Sequence, residues 1–188
     1  MPSPKGPPEL RHLERVLVSP QAIKRRVAAL GERLNADYAR KDMMVVAIVN
    51  GALIFTADLL RVLRSPLRLD CLRASSYHTG TRAVGEPRIV DQMKLDVKGH
   101  HVLLVDDILD TGKTLAAVAG LIKDKGAASV RTCVLLDKKA RRAVPFEADY
   151  VGFEIPNEFV VGYGLDFNER YRNLPCIGVL KPRYYREK

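Results

Sequence analysis

A chain of 188 residues with 47% hydrophobic and 28% charged content suits one domain with a sizeable core. Its longest apolar run, Met43 to Val49, is far too short to span a bilayer as a helix. The net charge of +9 attracts polyanions, yet the basic clusters Lys24-Arg25-Arg26 and Lys138-Lys139 with Arg141-Arg142 have little aromatic interleaving and match no nucleic-acid motif. The same field suits a small substrate that carries several phosphate charges.

Taken in chain order, Met1-Pro2-Ser3-Pro4-Lys5-Gly6-Pro7-Pro8 lacks the apolar core of a secretory signal and reads as part of a disordered tail over residues 1–12. A single domain is expected over 13–188. Ser19 and Pro20 form a cap and first turn for a helix running to about Arg40, with Ile23, Val27 and Leu30 on one face. Met43 to Val49 reads as a buried strand, Asn50-Gly51 as a turn, Ala52 to Leu63 as a helix and Leu67 to Ala74 as a strand. Strand, helix and strand in this order imply a parallel sheet. Tyr77 to Arg88 then breaks the rhythm, with few apolar anchors, and reads as a mobile lid or a surface hairpin tip before a return strand over Ile89 to Leu95.

Val102-Leu103-Leu104-Val105 reads as a strand buried on both faces. Asp106-Asp107 and Asp110 follow it. Asp110-Thr111-Gly112-Lys113-Thr114 then opens a helix whose apolar residues Leu115, Val118, Ala119 and Ile122 recur at helical spacing up to Gly126. Free backbone N–H groups at a helix start bind phosphate, and carboxylates ahead of the turn accept hydrogen bonds from sugar hydroxyls. A nucleotide P-loop is rejected, because that motif needs glycine where Asp107 stands. Val130 to Leu136 is a further buried strand, with Lys138 to Arg142 at its C-terminal end, the edge where open parallel sheets bind ligands. Short strands are expected at Tyr150 to Glu154, Phe159 to Val161 and Cys176 to Leu180.

Cys71, Cys133 and Cys176 lie far apart in odd number, so buried reduced thiols in the cytoplasm are expected rather than a disulfide framework. His100 and His101 point to opposite faces, cannot readily share a metal, and are expected at the surface.

The stretch Val102 to Thr114 resembles the 5-phosphoribosyl-1-pyrophosphate (PRPP) loop of type I phosphoribosyltransferases. Val151-Gly152-Phe153-Glu154-Ile155-Pro156-Asn157-Glu158-Phe159-Val160-Val161-Gly162-Tyr163-Gly164-Leu165-Asp166, followed by Tyr171-Arg172-Asn173-Leu174-Pro175, resembles the C-terminal signature of hypoxanthine-guanine phosphoribosyltransferases. Ser76-Tyr77 resembles the start of that family's flexible loop, and Val49-Asn50-Gly51-Ala52 its pyrophosphate loop. The likeness runs in order through roughly residues 13 to 182.

That resemblance implies an α/β fold with a central, mostly parallel sheet flanked by helices, and a small hood built from the N- and C-terminal segments. It implies Mg²⁺-dependent transfer of the phosphoribosyl group from PRPP to N9 of hypoxanthine or guanine in purine salvage, by a homodimer or homotetramer with no membrane or specific nucleic-acid partner. Asp106 and Asp107 would hold the ribose hydroxyls and, indirectly, Mg²⁺. Asp110, Thr111, Gly112, Lys113 and Thr114 would wrap the 5′-phosphate, with Asp110 also the general base near N7. Asn50, Gly51 and Arg172 would meet pyrophosphate, and a cis peptide is implied between Val49 and Asn50. Lys138 would donate to the 6-oxo group, Phe159 would stack on the base, Val160 would contact its edge, and Asp166 would hold a second Mg²⁺. Three departures stand out: Asn50 where many relatives have lysine, Asp106 where many have glutamate, and Asp137 beside Lys138 in place of an apolar residue. A xanthine-preferring relative and an RNA-binding regulator of the same fold are the alternatives. Asp110 and the purine signature count against the regulator.

Overall fold

The structure, a computed structural model, describes residues 7–79, 82–89 and 93–185, with backbone alone for 75–79 and 82–89. Its first strand, β1 (Leu13–Val18), leads into helix α1 (Pro20–Asp37), where the Ser19 hydroxyl accepts from Ala22 N–H as an N-cap and Pro20 fits the first turn. β2 (Met43–Val49), α2 (Leu53–Val62), β3 (Leu67–Thr79), β4 (Arg82–Ile89), β5 (His101–Leu109), α3 (Lys113–Asp124), β6 (Ser129–Asp137), β7 (Tyr150–Glu154), β8 (Val160–Val161) and β9 (Ile177–Leu180) follow.

The main sheet has the order β4-β3-β2-β5-β6-β7, and the five strands β3-β2-β5-β6-β7 are parallel. Apolar runs without alternation dictate this. Met44, Val46, Leu104 and Val134 bury one face of the sheet against Leu115, Val118, Ala119 and Ile122 of α3. Their strand neighbours Val45, Leu103, Val105, Cys133 and Leu135 bury the other against α1 and α2. After β2 the chain crosses to β3 on one side, and β5 lies on the other, so winding reverses between β2 and β5. The carboxyl ends of strands at such a reversal form a crevice no helix covers.

A second sheet, order β1-β9-β8, is antiparallel and joins the two ends of the chain into the expected hood. Its core contains Leu13, Val161, Tyr171, Leu174, Cys176 and Leu180. The tail reading needs correction here. Pro8–His12 forms a 3-10 turn whose Leu10 packs on that core, and His12 stacks on Tyr184 with ring centroids 4.1 Å apart. The rest of the expected tail, residues 1–6, lies outside the described residues.

Of the two readings of 77–88, the described residues form the hairpin. Tyr77 to Thr79 and Arg82 to Ile89 pair as antiparallel strands extending β3 beyond the parallel sheet. Backbone hydrogen bonds build such a ribbon without the apolar anchors that a sheet interior needs, so composition alone left lid and hairpin both open. The return strand is β4, ending at Ile89; of the expected Ile89 to Leu95, Met93 to Leu95 are not in a strand and residues 90–92 lie outside the described residues. Cys133 and Cys176 are buried, but Cys71 is exposed, on a face of β3 where Leu69 also meets solvent. His100 and His101 are half-buried with separate partners, Asp42 at 3.0 Å and Ser129 at 2.8 Å.

Candidate active site

β5 carries its acids further than an apolar pattern reveals. It stays paired with β6 through Asp106, Ile108 and Leu109, so both carboxylates sit on a rigid strand and not on a loop. They line a cavity of about 910 Å³ at the β2–β5 crevice. Asp106 is 7% exposed, and its Oδ1 accepts from Asp107 N–H at 2.9 Å. Burial pushes its carboxyl well above the ordinary range, and the neighbouring charge of Asp107 adds to that. Burial raises Asp107 too, while its hydrogen bonds and nearby Arg172 pull the other way. The pair is therefore short of donors and suited to hydroxyl groups or a divalent cation.

The turn after β2 approaches this pair closely. A Cβ on Gly51 would stand 1.8 Å from Asp107 Oδ2, so any larger residue there would displace that carboxylate. The Val49–Asn50 peptide is cis, as the resemblance implies. At the end of β5, Asp110 to Thr114 turn into α3 with Gly112 at φ 84°, a left-handed conformation that favours glycine. The first N–H groups of α3 have no helical acceptor, and Thr111 to Thr114 border the cavity. Asp110 Oδ1 is buried without a hydrogen bond and lies 3.3 Å from Arg141 Nε, an ion pair across the cavity wall.

The other half of the cavity comes from β6 and the hood. Lys138 is 5% exposed and its N–H donates to Leu109 O at 2.9 Å. Burial lowers its ammonium below the usual range, with Arg141 acting the same way and Asp110 opposing. A solvated strand-end lysine is therefore excluded, whereas Lys139 is exposed and paired with Glu154 at 2.5 Å. Phe159 lines the cavity with Phe167 edge-on at 5.6 Å and Tyr185 at 4.8 Å, while Val160 is buried beside it. Asp166 pairs with Arg172 at 2.9 Å, and Arg172 also donates to Gly164 O at 2.8 Å.

Asn50, Gly51, Asp106, Asp107, Asp110 to Thr114, Lys138, Phe159, Val160, Asp166 and Arg172 thus border one cavity. Ser76 and Tyr77 lie further along β3 than the lining residues Arg73 and Ala74, beside a register shift between Ser75 and Tyr77. Sequence reasoning missed Arg141, Arg142 and the use of Asp137. The first two were counted as general basic charge, although Asp137 was visible as a departure. Arg142 pairs with Asp137 and reaches the carbonyls of Leu109 and Asp110.

Comparison with known proteins agrees with this geometry. A family profile described as phosphoribosyl transferase domain matches residues 17–168. The chain is 47% identical over 173 residues to a hypoxanthine-guanine phosphoribosyltransferase of Streptococcus pneumoniae, covering 92% of this chain and 96% of that protein. It is 46% identical to the bifunctional protein TilS/HprT of Listeria innocua, covering 93% of this chain but spanning only 27% of that longer protein. Among solved structures, a hypoxanthine phosphoribosyltransferase of Staphylococcus aureus superposes with a TM-score of 0.90 at 40% identity, covering 95% of this chain and 97% of that one.

Proposed function

The chain belongs to the phosphoribosyltransferase family, among the hypoxanthine-guanine enzymes, and from that membership we propose that its cavity moves the phosphoribosyl group of PRPP to N9 of a 6-oxopurine. The products are a nucleoside 5′-monophosphate and pyrophosphate, and the role is purine salvage. The observation that carries this reading is one cavity bordered by the Asp106–Asp107 pair, a phosphate-type helix start, a buried lysine and an aromatic ring.

Each residue group has a task that its chemistry suits. Asp106 and Asp107 accept from the ribose 2′ and 3′ hydroxyls. Thr111 to Thr114 take the 5′-phosphate through backbone N–H groups and the two threonine hydroxyls. Asn50, Gly51 and Arg172 receive pyrophosphate; since Asn50 is neutral, charge there is met by Arg172 and backbone dipoles. Phe159 stacks on the base, Lys138 donates to its 6-oxo oxygen, and Val160 meets its edge through the backbone. Asp110 takes the proton that the purine must lose, its carboxylate bordering the cavity with one oxygen that makes no hydrogen bond and is ion-paired with Arg141.

The donor set fits Mg²⁺ in a particular way. Among the described residues no cluster forms a closed cage of three or more ligands. Separate carboxylates, Asp166 and the Asp106–Asp107 pair, border the cavity instead. Mg²⁺ is commonly held by one or two carboxylates together with water and substrate oxygens, which is what this arrangement offers. When bound it offsets charge developing on the leaving pyrophosphate.

The deciding experiment is turnover of PRPP by the purified protein with Mg²⁺ and, in turn, hypoxanthine, guanine, xanthine and adenine. Turnover with the first two is expected; a marked preference for xanthine would favour the xanthine-specific alternative, and none with any purine would sink the reading. Within that assay Lys138→Gln isolates base recognition. Lysine has donors and no acceptor, so it satisfies a carbonyl oxygen and not an exocyclic amine. Loss of that contact costs roughly ten- to hundredfold in kcat/KM for hypoxanthine, with little further loss for adenine. Lys139→Gln is the control. If neither variant changes preference, the backbone around Val160 reads the base.

Closure of the 77–88 hairpin over the reacting centre belongs to the same proposal, since water competes for a ribosyl cation. Backbone amides there should exchange more slowly with PRPP and a purine analogue bound; equal protection would mark a static hairpin. Assembly into a dimer or tetramer in the cytoplasm completes the reading, with light scattering as the check. No helix of the described residues is long and apolar enough to cross a membrane.

A further inference from the structure

The segment that carries Lys138 is fastened to the phosphate loop at three successive carbonyls. Lys138 N–H donates to Leu109 O, and Ala143 N–H donates to Thr111 O, each at 2.9 Å. Between them, Arg142 Nη1 donates to Leu109 O at 3.1 Å and to Asp110 O. Arg142 Nη2 pairs with Asp137 Oδ1, and side-chain exposures of 17% for Arg142 and 6% for Asp137 leave this ion pair largely sealed from solvent. Gly112 packs on the same side chain, since a Cβ there would stand 3.2 Å from Arg142 Cδ.

A trans peptide points its carbonyl and the following N–H in opposite directions. The peptides joining residues 109 to 112 are trans, because the cis bond of the described chain is Val49–Asn50. Turning the carbonyls of Leu109, Asp110 and Thr111 toward residues 138–143 therefore turns the N–H groups of Asp110, Thr111 and Gly112 away from that segment. The loop's donors thus take their direction from groups on a different segment of the chain.

We infer that Arg142, held by Asp137, is a positioning residue that presets the N–H groups of the phosphate loop and ties phosphate recognition to the segment carrying Lys138. This rests on the reading of residues 110–114 as the 5′-phosphate loop. Arginine is suited to the task where lysine is not. Its planar fork serves two carbonyls and a carboxylate at once, whereas an ammonium is a point charge on a flexible stem.

The test compares two inhibitors that differ by the phosphate alone, inosine 5′-monophosphate and inosine. Their ratio of inhibition constants in the parent measures what the 5′-phosphate contributes. Arg142→Lys keeps the positive charge and loses the fork, and the ratio should fall about tenfold, the worth of one charge-assisted hydrogen bond. KM for PRPP should rise by a similar factor, with a smaller change in kcat. Asp137→Asn keeps an acceptor oxygen and should shift the ratio in the same direction by less. Lys139→Gln, on the same segment but at the surface, should leave it unchanged.

A merely structural role gives a different result. It lowers the melting temperature and weakens nucleotide and nucleoside together, so a parental ratio in both Arg142→Lys and Asp137→Asn overturns the proposal. A parent ratio near one instead overturns the reading of the loop itself, and this proposal with it. A parental protein that turns over PRPP and hypoxanthine with a large ratio keeps the two failures apart.

Discussion

Asp110→Asn is expected to lower kcat by roughly 10²–10⁴-fold, the usual worth of a positioned general base. The substitution keeps the shape and removes the proton acceptor. Binding of PRPP should survive, because the proposed phosphate contacts come from the backbone and threonine hydroxyls of residues 111–114 and not from the carboxylate. Arg141, 3.3 Å from the Asp110 carboxylate, would lose that ion pair, so a modest change in the KM for the purine is expected alongside. Calorimetry with PRPP and Mg²⁺ separates the two effects. An unchanged kcat would eliminate Asp110 as the base, and lost PRPP affinity with a normal kcat would make it a ribose-phosphate ligand instead.

Replacing Asp106 and Asp107 together by asparagine should act in opposite directions on function and on stability. Two carboxylates that accept from ribose hydroxyls each contribute about 1.5–3 kcal/mol when the hydrogen bonds are charge-assisted, so the dissociation constant for PRPP should rise at least roughly 10²-fold. The ligand-free protein should melt at a higher temperature. Both carboxyls are raised above their ordinary range by burial, so the folded state holds protons that the unfolded chain releases. Stability is therefore lost as pH rises from about 4 toward neutrality, and asparagine removes that loss. A gain of about 1 kcal/mol corresponds to a rise of about 2–4 °C in a chain of this size. Melting in metal-free buffer across that pH range is the measurement. Equal PRPP affinity in variant and parent would refute the ribose assignment, and an identical pH dependence of melting would mean that the pair is not strained by burial.

Short-range signals were legible in the amino-acid order. Strand β2 over Met43–Val49 and strand β7 over Tyr150–Glu154 match their expected bounds, because each is an apolar run or alternation closed by a turn. Ser19 and Pro20 marked the start of α1, and the four apolar positions expected on α3 are its buried face. Less legible was the far end of β5, where polar residues continue a strand because β6 supplies the pairing from outside. The β3–β4 ribbon was legible only as one of two alternatives, as its order comes from a partner and not from its own hydrophobicity.

For the site, the chemistry lay in the order of residues and the geometry did not. Adjacent acids before a glycine turn and a helix point to a phosphorylated sugar, since donors, acceptors and a left-handed glycine are local properties of a few residues. The convergence of Asn50-Gly51, Asp106 to Thr114, Lys138 and Phe159 to Arg172 on one cavity is decided by strand order, because the sheet reverses its winding between β2 and β5. The same holds for charge. Lys138, Lys139, Arg141 and Arg142 are alike as a basic run, yet one is buried in the cavity, one is paired at the surface, one meets Asp110, and one joins Asp137 to the carbonyls of Leu109 and Asp110. A charged group's role is set by its burial and by its partners across the fold, and those belong to the tertiary structure alone.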